Sequence, residues 1–238
     1  MIVEVTGPTG VGKSFFIKKL LHALNEVGNE TGAILTATDN QCKEIPGCFS
    51  HLEKHNIKTD ILALPYFLIF IFNYPLFFWF IFWRIIRDGY SVNEKISKLR
   101  SFVRKAGIYR FLRSKRFVNK IIIVDEGLFH ISHNILCSPN HCATSEEIQK
   151  FVMLCPPADK LIVLISSQNK ILEQLKRRGN ISPRVRDIES LKSFVHFSRQ
   201  LYERITNLGS LLGFGLNLNL ESMSEKDLIL LSANYIRG

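Results

Sequence analysis

Gly7-Pro8-Thr9-Gly10-Val11-Gly12-Lys13-Ser14 satisfies the pattern G-x-x-x-x-G-K-[ST]. The chemistry of such an octet is anion binding. Its glycines let backbone N–H groups curl around a phosphate, Lys13 adds a point charge, and the Ser14 hydroxyl can ligate Mg2+. A second ligand to that cation must come from elsewhere in the chain. In "NKIIIVDEGLFH", Asp125 ends the β-branched run Ile121 to Val124, where open α/β sheets place their ligands. Ser14 and Asp125 are therefore the expected metal ligands. Asp39, Asp125 or Glu126 can take the proton of an acceptor hydroxyl, and Glu126 can alternatively orient a water for hydrolysis. Lys176-Arg177-Arg178-Gly179, followed by Arg184 and Arg186, has the composition of a lid. Arg177, Arg178 and Arg184 would close over the phosphates and neutralise charge on a transferring group. Arginine at a helix C-terminus is also ordinary dipole complementation.

These residues need strands and helices to hold them. "MIVEV" before the octet reads as a short strand, and after it Phe16, Leu20, Leu24 and Val27 line one helical face. Ile121 to Val124 reads as a buried parallel strand. A third strand, "DKLIVLISS", precedes a helix with Ile171, Leu172 and Leu175 inward. Near the end, Phe214, Leu216, Leu218 and Leu220 alternate as a strand, and a helix opens at Ser224 with Asp227 in capping-box position. Strands alternating with helices predict a three-layer α/β fold on a parallel, doubly wound sheet. One domain over residues 1–238 is expected, with a helical insert at 61–120.

His130, His133, Cys137, His141 and Cys142 fall at spacings that suit metal ligands on a helix. Pro139 interrupts that helix, so structural or pocket-lining roles are expected in place of a metal. The five cysteines are odd in number and form no C-x-x-C pair, which fits a reducing cytoplasm. "MIVEVTG" has no basic n-region or apolar h-region, so no signal peptide is expected.

Charge is uneven. The net +10 is matched by the segment from Arg84 to Lys120, where twelve Lys or Arg face only Asp88 and Glu94. Such a block is either a solvated helical face or a surface for an anionic partner. Just before it, "ILALPYFLIFIFNYPLFFWFIFW" holds both tryptophans and seven of the 18 phenylalanines without a charge. Roughly 20 apolar residues suffice to cross a bilayer. A single crossing would put the octet and Asp125 on opposite sides, although both must meet one cation. Pro65 and Pro75 are also expected to break the run into pieces too short to span. The run then reads as core, a homodimer face, a pocket for an apolar acceptor, or a monotopic element on an anionic membrane surface. The basic flank favours the last, with Ile96, Leu99, Val103, Ile108 and Leu112 as the apolar stripe of a cationic helix. Nucleic acid is disfavoured, because the aromatics are not interleaved with the cations.

The order of these elements resembles the P-loop kinases of the thymidylate kinase and deoxynucleoside kinase group. The family's P-loop matches Gly7 to Ser14. Its strand ending in Asp-Arg is similar to Asp125-Glu126-Gly127, and its Arg-x-Arg-Gly lid helix resembles Lys176 to Gly179. Its long helix after the lid resembles "LKSFVHFSRQLYERI". Three positions depart from the family: Thr9 replaces an Asp within the loop, "ILTATDNQ" replaces Arg-Glu-Pro, and Glu126 replaces an arginine that grips the acceptor's phosphate. The resemblance implies a P-loop NTPase fold, ATP and Mg2+ as cofactors, and a kinase with a nucleotide-like acceptor, while the aromatic run points to an apolar, lipid-linked acceptor near the membrane surface. An ATPase driving a partner protein and a nucleotide-binding membrane-recruitment module are the alternatives. The location implied is cytoplasmic, peripheral at the inner face of the membrane.

Overall fold

Strand β1 (Ile2–Thr6) is buried end to end, and its side chains alternate between two cores. The computed structural model describes residues 1–26, 31–34, 57–114, 121–138, 141–178, 187–213 and 215–238. Around β1 lies a five-stranded sheet that includes β2 (Thr31–Ile34), β3 (Ile121–Asp125), β6 (Lys160–Ile165) and β7 (Gly215–Asn219). Its order is β2-β3-β1-β6-β7, and every pairing is parallel. Val5 sits opposite Asp125 and Thr6 opposite Val163, so the C-terminal ends of the three central strands meet at one edge. A short antiparallel hairpin, β4 (Cys137–Ser138) with β5 (His141–Cys142), stands apart.

Helices cover both faces, as continuous β-branched strands require. On one face α1 (Lys13–Glu26) packs Phe16, Ile17, Leu20 and Leu24 on Val3, Val5 and Ile123, beside α9 (Glu225–Arg237). The helix α9 starts as its sequence suggests: Ser224 is the N-cap and accepts from Asp227 N–H at 3.2 Å. The other face carries α2 (Ile57–Asn73), α3 (Pro75–Arg87), α4 (Val92–Leu112), α5 (His130–Ile135), α6 (Ser145–Leu154) and α8 (Ile188–Leu211). Helix α7 (Gln168–Arg178) joins α8 through Ile171, Leu175, Leu191 and Val195. Capping boxes at Ser91/Glu94 and Thr144/Glu147 fix the starts of α4 and α6.

The apolar run folds differently from expectation at one of its two prolines. Pro65 lies inside α2, and the helix continues to Asn73. Its ring is exposed, so the missing N–H costs one backbone bond without ending the helix. The break falls only at Pro75, the first residue of α3, where the two helices bend by 110°. No single helix among the described residues is long and apolar enough to cross a membrane. The inner side of this corner is aromatic core. Phe67, Phe70, Phe77 and Phe102 meet edge to face at 5.6–6.3 Å. Contact between α2 and α4 is close at Gly107, where a Cβ would lie 2.8 Å from that of Ala63.

Helix α4 does not bury the stripe read from its sequence. Ile108 and Leu112 are core, but Ile96 is exposed and Leu99 and Val103 are only half-buried. Phe102, Ala106 and the stem of Lys98 take the inner positions instead. The basic block is largely engaged inside the molecule. Arg84 pairs with Asp88 and Glu147, Arg100 and Arg104 with Asp60, and Arg113 with Asp159. Lys98 donates to the Asn134 carbonyl and Lys105 to that of Glu126. A second correction concerns residues 130–142. The helix expected to reach Pro139 ends at Ile135, and Cys137 and Cys142 instead face each other across the hairpin. Among the described residues no group of three His, Cys, Asp or Glu is arranged to hold a metal ion.

Candidate active site

The octet forms the turn between β1 and α1. Gly7 has φ +151 and a Cβ there would collide with the Leu164 carbonyl of β6; at Gly10, with φ +88, a Cβ would lie 2.7 Å from Leu175 of α7. Both positions therefore demand glycine. Pro8 and Val11 are buried and anchor the loop, while Thr9 and Gly12 are half-buried at its rim. Lys13 is buried, and its ammonium donates to Gly7 O at 3.1 Å and Pro8 O at 3.2 Å, curling back over the loop. No acidic residue occupies the first turn of α1, so its positive end is not neutralised.

Two motifs far apart in sequence converge here. Ser14 Oγ donates to Asp125 Oδ2 at 3.4 Å, bringing a hydroxyl and a carboxylate together beside the loop. Burial raises the Asp125 pKa, opposed by the charge of Lys13. A dication between Ser14 and Asp125 would reverse that desolvation cost. The oxygen donors, the glycine cradle and the Lys13 ammonium thus fit a magnesium–triphosphate group.

Glu126 follows in an unusual backbone state, with φ 58, the left-handed region that non-glycine residues avoid. Two contacts hold it there: its N–H donates to Val5 O at 3.4 Å, and its carbonyl accepts from Lys105. The carboxylate lies between Lys13 Nζ at 3.8 Å and His130 Nε2 at 3.5 Å. Behind His130 runs a buried relay. Its Nδ1 is 3.1 Å from Tyr202 Oη on α8, and Thr6 Oγ1 at the end of β1 donates to Tyr202 Oη at 3.2 Å. Burial pushes the Tyr202 pKa well above the ordinary phenol value, so the hydroxyl keeps its proton. With Thr6 donating to Tyr202, the phenol proton is directed to Nδ1, and the imidazole proton is left on Nε2, facing Glu126.

Beneath Glu126 lies Glu4, a carboxylate in the middle of β1. It accepts from His130 N–H at 3.2 Å, and burial raises its pKa to about 7 against the backbone N–H groups of α5 and the charge of Lys105. The stem of Lys105 is partly exposed but its ammonium is enclosed, and burial lowers its pKa against the pull of Glu126, Glu4 and Asp125. Gly127 packs against them, and a Cβ there would lie 2.6 Å from the Glu4 carboxyl and push it aside. A small pocket of about 20 Å3, room for about one water, lies along these groups between α4 and the sheet, walled by Ile108, Tyr109, Val124 and Leu128.

Of the residues singled out from sequence, Gly7 to Ser14, Asp125 and Glu126 come together. Arg177 does not join them: it is exposed and pairs along its own helix with Glu173 at 2.7 Å. Asp39, Arg184 and the side chain of Arg178 lie outside the described residues. Sequence reading missed Glu4, Lys105, Tyr202 and Thr6, and placed His130 in a different cluster. Glu4 had a signal, a lone carboxylate in an apolar strand; Lys105 was hidden among other cations.

Comparison of the sequence with protein-family models gives no match, and comparison with curated proteins gives none. Comparison of the fold with solved structures does. A deoxyadenosine kinase from M. mycoides, solved with bound dATP, superposes with a TM-score of 0.50 at 13% identity, covering 100% of each chain. An identity that low speaks for architecture alone, and it agrees with the parallel sheet and the glycine loop at its edge. The chain has a P-loop deoxynucleoside kinase-like fold.

Proposed function

We propose that this protein is a Mg2+-dependent phosphotransferase that moves the γ-phosphoryl group of ATP to a hydroxyl acceptor. The observation that carries the reading is the meeting of Lys13, Ser14, Asp125 and Glu126 at one edge of the sheet. Lys13 and the loop N–H groups hold the phosphates, and Ser14 and Asp125 hold the cation. Held by Ser14 and Asp125, Mg2+ would offset the negative charge that develops on the transferring phosphates. Glu126 accepts the acceptor hydroxyl proton as the oxygen–phosphorus bond forms and the bond to the β,γ-bridging oxygen breaks, releasing ADP. His130 Nε2–H orients that carboxylate, and Lys105 holds its backbone.

Charge argues for the acceptor class. Glu126 stands where the resembled kinases carry a phosphate-gripping arginine, and Glu4 lies beside it in the same pocket, so a neutral hydroxyl fits better than a monophosphate. Apolar walls of Ile108, Tyr109, Val124 and Leu128 beside Glu126 favour a nucleoside-like or an apolar, lipid-linked acceptor, of which this small pocket would take only the reacting end. The test is γ-labelled ATP with separate nucleoside, nucleoside monophosphate, sugar and polyprenol acceptors. Label is expected in a hydroxyl acceptor, and transfer into thymidine monophosphate would overturn the charge argument. Rapid release of free phosphate with no acceptor present would replace the kinase with an ATPase.

A further inference from the structure

The outer side of the α2–α3 corner has no role in the site just described. While its inner side is core, its outer side is apolar and open: Leu68 is 52% exposed, Phe72 85%, Leu76 70%, Trp79 59% and Trp83 63%. Side chains of this size offer roughly 150–250 Å2 each when bare, so the five present on the order of 700 Å2, beyond the patch of a typical soluble monomer. Exposure peaks at Phe72 and Leu76, which flank the 110° bend, so the patch is a ridge and not a groove.

Charge at the rim decides what fits it. Of the nearby carboxylates, Asp60 is matched by Arg100 and Arg104, Asp88 and Glu147 by Arg84, and Glu94 caps α4, while Glu146 stands exposed one turn before Lys150. Three rim cations have no carboxylate partner among the described residues. Lys95 is held beside the ridge by donating to Ile86 O at 2.7 Å, Lys150 sits 5.9 Å over the Phe80 ring, and Arg87 closes α3. An isologous dimer would bring this ridge and its cations against their own copies, which is not self-complementary. A bilayer with anionic headgroups matches both features and requires no shape complementarity.

We infer that the α2–α3 corner is a monotopic anchor lying in the surface of an anionic bilayer. Leu68, Phe72, Leu76, Trp79 and Trp83 enter the acyl boundary, with Arg87, Lys95 and Lys150 at headgroup level. The bend and the buried inner side keep the corner at the interface, about 5–10 Å deep. This inference stands independently of the phosphotransferase reading.

Trp79 and Trp83 are the chain's only tryptophans, so their fluorescence reports on the ridge directly. The experiment is flotation of the full chain with phosphatidylcholine vesicles, with and without phosphatidylglycerol, alongside tryptophan emission and quenching by brominated lipid. Flotation, a blue shift and quenching are expected with phosphatidylglycerol vesicles. Phe72→Ser with Leu76→Ser should weaken partitioning by about 100-fold or more, since each removes one large apolar side chain from the acyl boundary. Arg87→Glu with Lys95→Glu should weaken it only where phosphatidylglycerol is present. Phe72, Leu76 and Arg87 are exposed and Lys95 is half-buried at the surface, all away from the glycine loop, and binding of ATP in solution is expected to stay unchanged. Unmoved emission and protein left at the bottom of the gradient would overturn the inference. So would a lipid-free dimer that Phe72→Ser with Leu76→Ser dissociates, because the ridge would then be a subunit interface.

Discussion

At the scale of single residues, the site depends on how Glu126 is held. A carboxylate at φ 58 is strained by about 1–3 kcal/mol, and Lys105, Lys13 and His130 together keep it in place. Glu126→Gln retains the shape and removes the proposed base, so turnover should fall by about 100- to 10,000-fold. ATP affinity should rise in the same variant, because the carboxylate no longer competes for Lys13; steady-state rates and equilibrium binding measure the two effects separately. Tyr202→Phe removes the donor to His130 Nδ1 without emptying the core, and the tautomer facing Glu126 is no longer dictated. It should lower kcat about tenfold with KM for ATP unaltered. An unchanged kcat would reduce the relay to packing. Lys13, Ser14 and Asp125 were legible in sequence because their spacing is set by the phosphate itself. His130, Tyr202 and Thr6 were not, since the relay joins three elements whose proximity no local pattern records.

At the scale of elements, the α2–α4 assembly explains why an apolar stretch of this length remains attached to an enzyme-like core. Half of it is aromatic filling for the face of the sheet opposite α1. Gly107 sets how closely α2 approaches α4, and Gly107→Val should destabilise the fold by about 1–3 kcal/mol by forcing the helices apart at Ala63. Urea unfolding checks this, and a change below a few tenths of a kcal/mol would show that α2 yields without cost. Prolines carry opposite lessons. Pro75 breaks the chain because it opens a new helix at N1, whereas Pro65 is tolerated with its ring at the surface. Both have the same local rule, and the packing of Ala63, Phe67 and Phe70 against α4 decides between them. Helix α4 misled for a related reason. Its Lys98 and Lys105 stems turn inward because carbonyls at Asn134 and Glu126 are there to receive them.

For the whole molecule, charge and stability are linked through Glu4. Its pKa is raised from 4.5 to about 7 by burial, so the folded state binds its proton more tightly than the unfolded chain does. Stability from this group is full below about 4.5 and is lost as pH rises through about 7, a change on the order of 3 kcal/mol. Glu4→Gln should remove that loss, so the variant's melting temperature relative to wild type rises from about pH 5 to about pH 8. A constant difference across that range would mean Glu4 stays ionised and paired with Lys105.

The sequence by itself determined the glycine loop, the acidic strand end and the alternation of strands with helices. Each follows from contacts within a short window or from hydrophobic period, so propensity and spacing were enough. Only the tertiary structure decided that Glu126 is pinned in a left-handed turn, that Glu4 and Lys105 share the floor of the site, and that most of the described basic block is engaged internally. It also divided the apolar run into a buried face and an open ridge. Those outcomes depend on which distant groups meet across the sheet, and burial and charge pairing between such groups leave no trace in local sequence.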